Sequence, residues 1–586
     1  MAFTDMQSFI RSLEKEGQLH RVQEEVDAEL EVTEIAIRAV REGLPALLFE
    51  NVRGSNYPLA INLLASKERI ELALGRDPEE IGEELVNFAQ DVNPPTLGAL
   101  WRNRKTGFRL LKMRPKLGKS GPVQEISEAP NLDSMPILKC WPDDGGRFIT
   151  LPLVFSQDPD TGDNNVGMYR MQVYNATTTG MHMQIQKGGG FHYYNAEKNN
   201  EPLEMAVALG GDPALMLAAV MALPEGMDEA AFSGIVRGAR TPMTRAKSVG
   251  LNVPANAEFI LEGTVRPGRR RSEGPFGDHF GHYSEAADFP IFEIRTVTRR
   301  KNAIYPATVV GKPPQEDRYI GDATQQILSP LIRLMHREIK GMWAYYEAGF
   351  HNLLVISVES RYQKEPIKTA LSILGEGQLS LSKCVILVGP DVNPRDPSAV
   401  LQAIRRNFKP EEDFHLVANT FADTLDFTGP AQDRGSKMIV DATGSPRGED
   451  SVTATALPVN LAQLTSRAVR HRLVGRTMLV VQMNGEGRPL VESLVRNPLL
   501  GSLSLVVAVS SDVNIDDDVE LLWGIFTRFD AARDVTFSAA EFRGIQPVYH
   551  GVMGIDATWK EHYPKPLVMD PDVVKKVDSK WSRYWK

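Results

Sequence analysis

The C-terminal third of the chain contains two copies of one sequence unit, and this repeat constrains the fold more than any other feature. CVILVGPDVNPRDPSAVLQAIRRNFKPEEDF begins at Cys384, and LVVAVSSDVNIDDDVELLWGIFTRFDAARDV begins at Leu505. Each copy predicts a strand, an Asp-rich turn, a helix and a second strand. Chance similarity between two α/β units is the alternative, but so many matches in one register favour duplication. The matches pair Asp391 with Asp512, Asn393 with Asn514, Asp396 with Asp517, Leu401 with Leu522, Ile404 with Ile525, Phe408 with Phe529, Asp413 with Asp534, and MIVDAT at 438–443 with MGIDAT at 553–558.

The rest of the 586-residue chain predicts an N-terminal α/β lobe followed by a β-rich middle. In the lobe, helices are expected over 5–16, 67–75 and 78–91, with a buried strand at 46–49. A Pro- and Gly-rich connector is expected over 92–146. The middle predicts a mostly antiparallel sheet or barrel, a helical insertion near 201–223, and a long helical stretch from Gln325 to Tyr346. Its β-type runs are Phe148–Phe155, Val166–Tyr174, Glu258–Val265, Phe289–Val297 and Ala303–Val310.

Composition narrows the class of protein. Two cysteines, Cys140 and Cys384, argue for a reducing compartment and against a disulfide framework, so a cytoplasmic location is expected. A net charge of -9 makes nucleic acid an improbable partner. The apolar run Leu215–Leu223 is far too short to span a bilayer, so no membrane partner is expected either.

The sharpest local motif is SEGPFGDHFGHY at 272–283. Its Gly and Pro residues exclude a regular helix and predict a shaped turn. Glu273 and Asp278 lie five positions apart, and two nearby carboxylates in a dry pocket push each other's pKa values apart, giving one acid and one base. A solvated hairpin turn is the alternative interpretation.

Three further motifs carry polar side chains that could serve a site. In NNVGMYRMQ, strand alternation places Met168 and Arg170 on one face, where an Arg could bind a carboxylate, although a surface Arg is the alternative. In HMQIQKGGGFH, the Gly run after Lys187 could let backbone approach a phosphate, or could be a plain flexible loop. In DEAAFSGIVRG, a lone Glu such as Glu229 is usually a solvated residue at a helix start.

Taken in order, these segments resemble the UbiD-like family of decarboxylases, which use prenylated flavin mononucleotide (prenyl-FMN). The resemblance covers about residues 1–445 and resumes in the second repeat. It rests on PALLFENVRG (45–54), ASKERIELALG (65–75), NVGMYRMQ (165–172), ALGGDPA (208–214), NVPANAEFILEG (252–263), SEGPFGDHFGHY (272–283) and IYPATVVGKPPQEDRYIG (304–321).

The resemblance implies a fold and a set of site residues. The fold would be α+β / α/β: an N-terminal α/β lobe, a split β-barrel that binds the flavin, and C-terminal α/β layers. The expected boundaries are 1–120, 121–322, 323–460 and 461–586. The family's catalytic network maps onto Arg170, Glu273 and Asp278. Its metal ligands map onto Asn165, Gln186 and Glu229, and its cofactor contacts onto Asn165, Met168, Arg170, Gln186, Lys187, Glu229 and Ile320.

The resemblance also implies chemistry and partners. The cofactors would be prenyl-FMN, a divalent metal, typically manganese, and K⁺. The reaction would be reversible, non-oxidative decarboxylation of an aromatic or α,β-unsaturated acid. Glu273 would hold Arg170, and Asp278, its pKa raised by its acidic neighbour and by burial, would deliver the proton. A homo-oligomer, from dimer to hexamer, and dependence on a flavin prenyltransferase are expected.

The chain departs from the family pattern at two places in the site region. Gln186 stands where the family has a His, and a Gln oxygen is a neutral, weaker ligand; His182 or His192 could take its place if the loop shifts. RPGRRR places Arg266, Arg269, Arg270 and Arg271 just before Glu273, so an anionic substrate such as a coenzyme A thioester is one interpretation and a solvated hairpin tip is the other. The missing His would also suit a non-catalytic assembly subunit, while a metal-dependent hydrolase has little support because no HExxH motif occurs.

Overall fold

The computed structural model describes residues 3–91, 96–110, 114–184, 187–224, 226–444 and 465–586. The chain divides into two compact units. Unit 1 comprises Met1–Leu328 together with Pro566–Lys586, and unit 2 comprises Ser329–Lys565. The division expected from the sequence, at 120, 322 and 460, stays a prediction. Within the described ranges, no helix combines the length and apolar character that a membrane crossing requires.

The N-terminal lobe forms as its apolar pattern predicts. Four helices surround a sheet of four short strands, and Asp5 and Ser66 accept backbone N–H groups at the starts of the first and third helices. The predicted helices and the strand Ala46–Phe49 are therefore confirmed. The helices are Met6–Lys15, Glu31–Arg41, Lys67–Leu74 and Pro78–Asp91, and the strands, in sheet order, are Leu19–Val22, Ala46–Phe49, Leu59–Ile61 and Tyr305–Ala307.

The middle of unit 1 is a nine-stranded, antiparallel sheet, as expected. Its two longest strands, Phe259–Glu273 and Ala287–Arg299, form a hairpin that carries the candidate catalytic turn. The other strands are Ile126–Glu128, Phe148–Ile149, Pro152–Gln157, Asn164–Gly167, Met171–Asn175, Thr178–Gly180 and Leu203–Leu209. Around this sheet lie helices Leu97–Arg102, Arg104–Leu110, Gly188–Lys198, Pro213–Ala218 and Glu229–Arg237, a small sheet of Lys116–Gly118, Pro242–Arg245 and Asn252–Pro254, and the strand pair Phe276–Gly277 and Tyr283–Ser284.

Two expected helical stretches are wrong in part. Residues 203–209 form a strand between two neighbours of the main sheet, and only Pro213–Ala218 is helical. A buried apolar run has no helical or strand period of its own, so neighbouring strands decided its conformation. The long helix begins at Glu316 and ends at Ile332, shortly after Pro330. Within the stretch that was expected to be helical, Ile339–Ala344 is instead an edge strand of unit 2.

Unit 2 confirms the duplication. It contains two five-stranded sheets with the same order and the same sequence of antiparallel, parallel, parallel and antiparallel pairings. The first contains, in sheet order, Ile339–Ala344, Leu353–Val358, Cys384–Val388, Arg434–Ala442 and Phe414–Phe421, with helices Glu365–Ile373, Pro397–Asn407 and Pro410–Asp413. The second contains Ala468–Val474, Met478–Met483, Leu505–Ser510, Gln546–Ala557 and Val535–Arg543, with helices Arg488–Val495, Asp518–Phe526 and Ala531–Asp534.

The matched acidic residues of the repeat have matched local roles. Asp396 and Asp517 each accept two backbone N–H groups at the start of a helix. Asp441 and Asp556 each accept the amide and hydroxyl of the Thr two positions later. The repeat aspartates therefore cap helices and turns, which explains their shared spacing without any catalytic role.

The end of the chain completes unit 1. Helix Pro571–Tyr584 packs against helix Glu31–Arg41, where the Tyr584 hydroxyl donates to Glu31 over 2.7 Å and Lys576 lies 2.9 Å from the same carboxylate. Just before this helix, the Leu567 amide donates to the Gly281 carbonyl over 2.9 Å. The C-terminal segment thus contacts both the lobe and the candidate catalytic turn.

Candidate active site

The predicted turn at 272–283 is present and is tightly braced. Phe276–Gly277 pairs with Tyr283–Ser284, so that residues 278–282 form the tip. Asp144 supports this tip from below, because its buried carboxylate accepts the Gly277 amide over 2.8 Å and the Trp141 amide over 2.8 Å. Burial raises the pKa of Asp144 to about 6, even though these backbone bonds favour the charged form.

Arg170 does not lie on a strand, contrary to the expectation from alternation. The strand ends at Gly167, and residues 168–170 connect it to the next strand. A Cβ atom on Gly167 would lie 2.2 Å from the Tyr169 hydroxyl, so glycine at this position leaves room for the Tyr169 ring. The side chain of Arg170 nevertheless reaches the predicted position and is 8% exposed.

Arg170, Glu273 and Asp278 form one network, as predicted. The Arg170 Nε donates to Glu273 Oε1 over 3.2 Å, and Nη1 donates to Asp278 Oδ2. The third group, Nη2, donates to Ser284 Oγ over 3.0 Å, and the guanidinium lies 4.6 Å from the Phe276 ring centroid. One guanidinium is therefore fixed between two buried carboxylates, with an aromatic face beside it.

The surroundings of Asp278 favour its ionised form, and the expectation of a raised pKa is wrong. Burial alone would raise the pKa, but the Arg170 charge and the hydrogen bonds from His279 hold it well below the usual range of a carboxyl. His279 donates to Oδ1 from both its amide and its ring, over 2.7 and 2.8 Å. The expectation of a raised pKa for Asp278 considers only the acidic neighbour and burial. It does not include the two hydrogen bonds that His279 donates.

The sequence suggests that His182 could replace the missing metal-ligand His. The structure instead places its ring beside Glu273. Its Nδ1 lies 2.9 Å from Glu273 Oε1. His192, the other substitute, has its Nδ1 2.9 Å from Ser156 Oγ and its Nε2 4.0 Å from Asp158. The His182 ring therefore belongs to the Glu273 network, whereas His192 contacts Ser156, the cross-strand partner of Asn165.

Asn165 and Glu229 are brought together at a second region of the site. The Glu229 carboxylate accepts the amide of Val166, the residue after Asn165, over 2.8 Å. Burial raises the pKa of Glu229 to about 7, because few donors stabilise its charge. A cation would relieve this cost, and an amide and a carboxylate oxygen are donors that hard cations accept. Gln186, the third predicted ligand, lies outside the described residues.

The Gly run after Lys187 forms the first turn of a helix, so its interpretation as a plain flexible loop is wrong. Helix Gly188–Lys198 starts beside Asn165, and a Cβ atom on Gly188 would lie 2.0 Å from the Asn165 Oδ1. The glycines thus allow a helix N-terminus to approach the polar pair closely. Such an end favours a phosphate group, so this region fits the phosphate and metal of the expected cofactor.

The remaining predicted cofactor contacts, Met168 and Ile320, share one apolar cluster in unit 1. Ile320 is buried and Met168 is partly buried against the same cluster. Among the described residues, no group of three or more His, Cys, Asp or Glu side chains is placed to hold a metal.

The Arg-rich hairpin is paired with surface acids. Arg266 and Arg269 both contact Glu293, and Arg270 contacts Glu197 over 2.7 Å. Arg271 lies over the Tyr174 ring, 4.3 Å from its centroid. These contacts favour the solvated hairpin tip over the anionic-substrate interpretation.

Three family models match the chain. They describe 3-octaprenyl-4-hydroxybenzoate carboxy-lyase: its N-terminal domain matches residues 10–89, its Rift-related domain matches 116–313, and its C-terminal domain matches 318–442 and 460–557. The fold, the Arg–carboxylate site and these matches define a decarboxylase of the carboxy-lyase class. The chain belongs to the UbiD family.

Individual relatives agree. A 4-hydroxybenzoate decarboxylase subunit of Chlamydia pneumoniae is 38% identical over 562 residues, 96% of this chain and 95% of that protein. A protein of Archaeoglobus fulgidus is 43% identical over 455 residues, 77% of this chain and 93% of that protein. The solved vanillic acid decarboxylase of Sedimentibacter hydroxybenzoicus has a TM-score of 0.68 at 26% identity, covering 79% of this chain and 97% of that chain. The UbiD-class enzyme HmfF of Pelotomaculum thermopropionicum, in complex with FMN, has a TM-score of 0.64 at 26% identity, covering 79% of this chain and all (100%) of that chain.

Proposed function

We propose that this enzyme catalyses the reversible, non-oxidative decarboxylation of an aromatic or α,β-unsaturated carboxylic acid with prenyl-FMN as cofactor. The observation that carries the proposal is the buried arrangement of Arg170 between Glu273 and Asp278. The solved relatives act on an aromatic acid or hold FMN, which supports the same chemistry here.

The residues at the second region would hold the cofactor phosphate. Asn165 and Glu229 would bind a divalent metal, with manganese as the first choice and K⁺ beside it, and the start of helix Gly188–Lys198 would face the phosphate. Met168 and Ile320 would contact the ring system. Bound prenyl-FMN would supply the electron sink for the electron pair that departing carbon dioxide leaves behind.

The chain's own residues would control charge and the proton. Glu273 holds the Arg170 guanidinium in place, where its N–H donors would orient an incoming carboxylate. Cleavage of the bond to the carboxylate releases carbon dioxide, and a proton from Asp278 then completes the new C–H bond. Because its surroundings favour the ionised form, Asp278 would first take up a proton from water, displacing one of its present donors. In the reverse direction the ionised carboxylate is ready to remove that proton.

The experiment is co-expression with a flavin prenyltransferase, followed by absorbance measurement and a screen of aromatic acids. We expect bound flavin, release of carbon dioxide from at least one acid, and exchange of ¹³C-bicarbonate into that acid. A non-catalytic assembly subunit is the competing hypothesis, in line with Gln186 at the family's His position. Flavin without turnover on any acid would favour it over our proposal.

Gln186 offers a direct test of the metal region. If it occupies the ligand position, Gln186→His should keep or raise manganese occupancy, because imidazole is the better ligand for first-row metals. Elemental analysis of both proteins, purified in parallel, measures this. A loss of metal in the variant would show that the ligand set differs from the proposed one.

A further inference from the structure

His182 is a buried polar residue of the site that the proposed chemistry does not use. Its Nδ1 lies 2.9 Å from Glu273 Oε1, and its ring lies on Phe289 with centroids 4.2 Å apart. Within the described part of the chain, its buried Nε2 has no hydrogen-bond partner. Buried ring nitrogens are usually paired, and here only Nδ1 is. The contact with Glu273 is therefore the polar contact that holds the ring.

Glu273 depends on this contact for its orientation. Its Oε1 receives two donors, Arg170 Nε over 3.2 Å and the ring of His182, while its Oε2 is buried without a partner in the described residues. The His182 amide also donates to the Arg170 carbonyl over 3.2 Å. One short segment therefore fixes the Arg170 backbone and the carboxylate that binds the Arg170 side chain.

The surroundings determine which ring nitrogen carries the proton. The charged groups that face His182 are Arg170, Glu273 and Asp278, and Phe289 covers the ring with an apolar surface. Burial and the Arg170 charge lower the pKa of His182, and the two carboxylates do not compensate. A neutral ring beside a carboxylate oxygen must donate from Nδ1, which leaves the bare lone pair on Nε2.

We propose that His182 is a positioning residue: by donating from Nδ1 to Glu273, it holds that carboxylate against Arg170 and so keeps Arg170 aligned with Asp278. Its effect on turnover rests on the proposed function, whereas its effect on the ring and the carboxylate does not. Apart from Arg170 and His182, no side-chain donor to Glu273 Oε1 is present among the described residues.

Two variants separate the donor from the ring. His182→Phe keeps the aromatic contact with Phe289 but removes the donor, and we expect kcat to fall by about 10- to 100-fold, with little change in KM, because small misplacements of catalytic groups have effects of this size. His182→Asn places an amide N–H near the position of Nδ1 and should recover most of the loss. Equal losses in both variants, or normal turnover in His182→Phe, would overturn the proposal.

A spectroscopic measurement decides the question without turnover. In ¹⁵N-histidine-labelled protein, the His182 signal is identified among the 11 histidines by its loss in His182→Asn. We expect a neutral ring with the proton on Nδ1 from about pH 5 to about pH 8, where an ordinary His changes charge. A neutral ring with its proton on Nε2, which leaves Nδ1 without a proton to donate, would refute the proposal. If no acid is decarboxylated but the Nδ1–H form is found, the proposed function fails and the positioning role stands.

Discussion

Replacing Asp278 by Asn tests the centre of the proposed mechanism. Asn keeps the shape, and its oxygen can still accept from Arg170, but it has no acidic proton, and its amide nitrogen cannot accept either of the two bonds that His279 makes to Oδ1. The variant therefore removes the proton donor and the two bonds from His279 while leaving Glu273 to neutralise Arg170. We expect the fold and flavin binding to survive.

The expected loss follows from the role. General acid–base groups contribute about 10²–10⁴-fold, which corresponds to about 3 to 5 kcal/mol of activation free energy. The assay is release of carbon dioxide from the best acid found in the screen, with flavin absorbance measured on the same sample. Asp288→Asn is the matched control, because Asp288 is an exposed carboxylate on the neighbouring strand.

The outcomes distinguish chemistry from binding. A loss of kcat with flavin retained supports the proton-transfer role. Turnover of Asp278→Asn within a few-fold of the Asp288→Asn control would refute it. If the variant loses both its flavin and its turnover, Asp278 maintains the cofactor site and the proton comes from elsewhere.

Three further predictions concern the metal region, the Arg-rich hairpin and unit 2. Glu229→Ala should lose the divalent metal and most of the flavin, because the phosphate would face no bound cation; elemental analysis showing normal metal would contradict this. Neutralising Arg269, Arg270 and Arg271 together should change kcat/KM little, since these side chains pair with surface groups; a several-fold rise in KM with a weaker salt dependence would restore the anionic-substrate hypothesis. Burial lowers the pKa of Lys437 to about 8. Keeping this side chain charged in the folded wild type therefore reduces the free energy of unfolding by up to about 3 kcal/mol at neutral pH. This penalty disappears as the pH rises from about 8 to about 10.5. The stability of Lys437→Met relative to wild type should therefore decrease over that range in denaturant titrations, and a pH-independent difference would refute the assignment.

Much of the fold could be predicted because local and global signals agree. The strand Ala46–Phe49 and the first helices have clear periods and caps, and the repeat of unit 2 is visible in the sequence as matched letters. The errors occur where tertiary contacts decide. Residues 203–209 are a strand because two neighbours hydrogen-bond to them, which no local pattern can show.

The candidate site could be predicted through resemblance more than through residue chemistry. Resemblance brought together Arg170, Glu273 and Asp278, although Arg170 is separated from the two carboxylates by about a hundred residues in sequence. It did not give the charge state of Asp278, because that depends on the distances of its donors. Nor did it give the contact of His182 with Glu273, because a lone His in a polar stretch has no signature for a partner 91 positions away.

The return of the chain end to unit 1 has a consequence for biosynthesis. Helix Glu31–Arg41 leaves the ribosome long before Pro571–Tyr584, the helix that covers Glu31. At about 5–20 residues per second, the gap between them takes roughly half a minute to two minutes. During that time the lobe waits with a carboxylate and an apolar face uncovered, and the turn at Gly281 lacks its contact from Leu567. A nascent chain that stops after unit 2 would therefore have both the N-terminal lobe and the turn at Gly281 unfinished, because residues 566–586 supply the missing contacts to each of them.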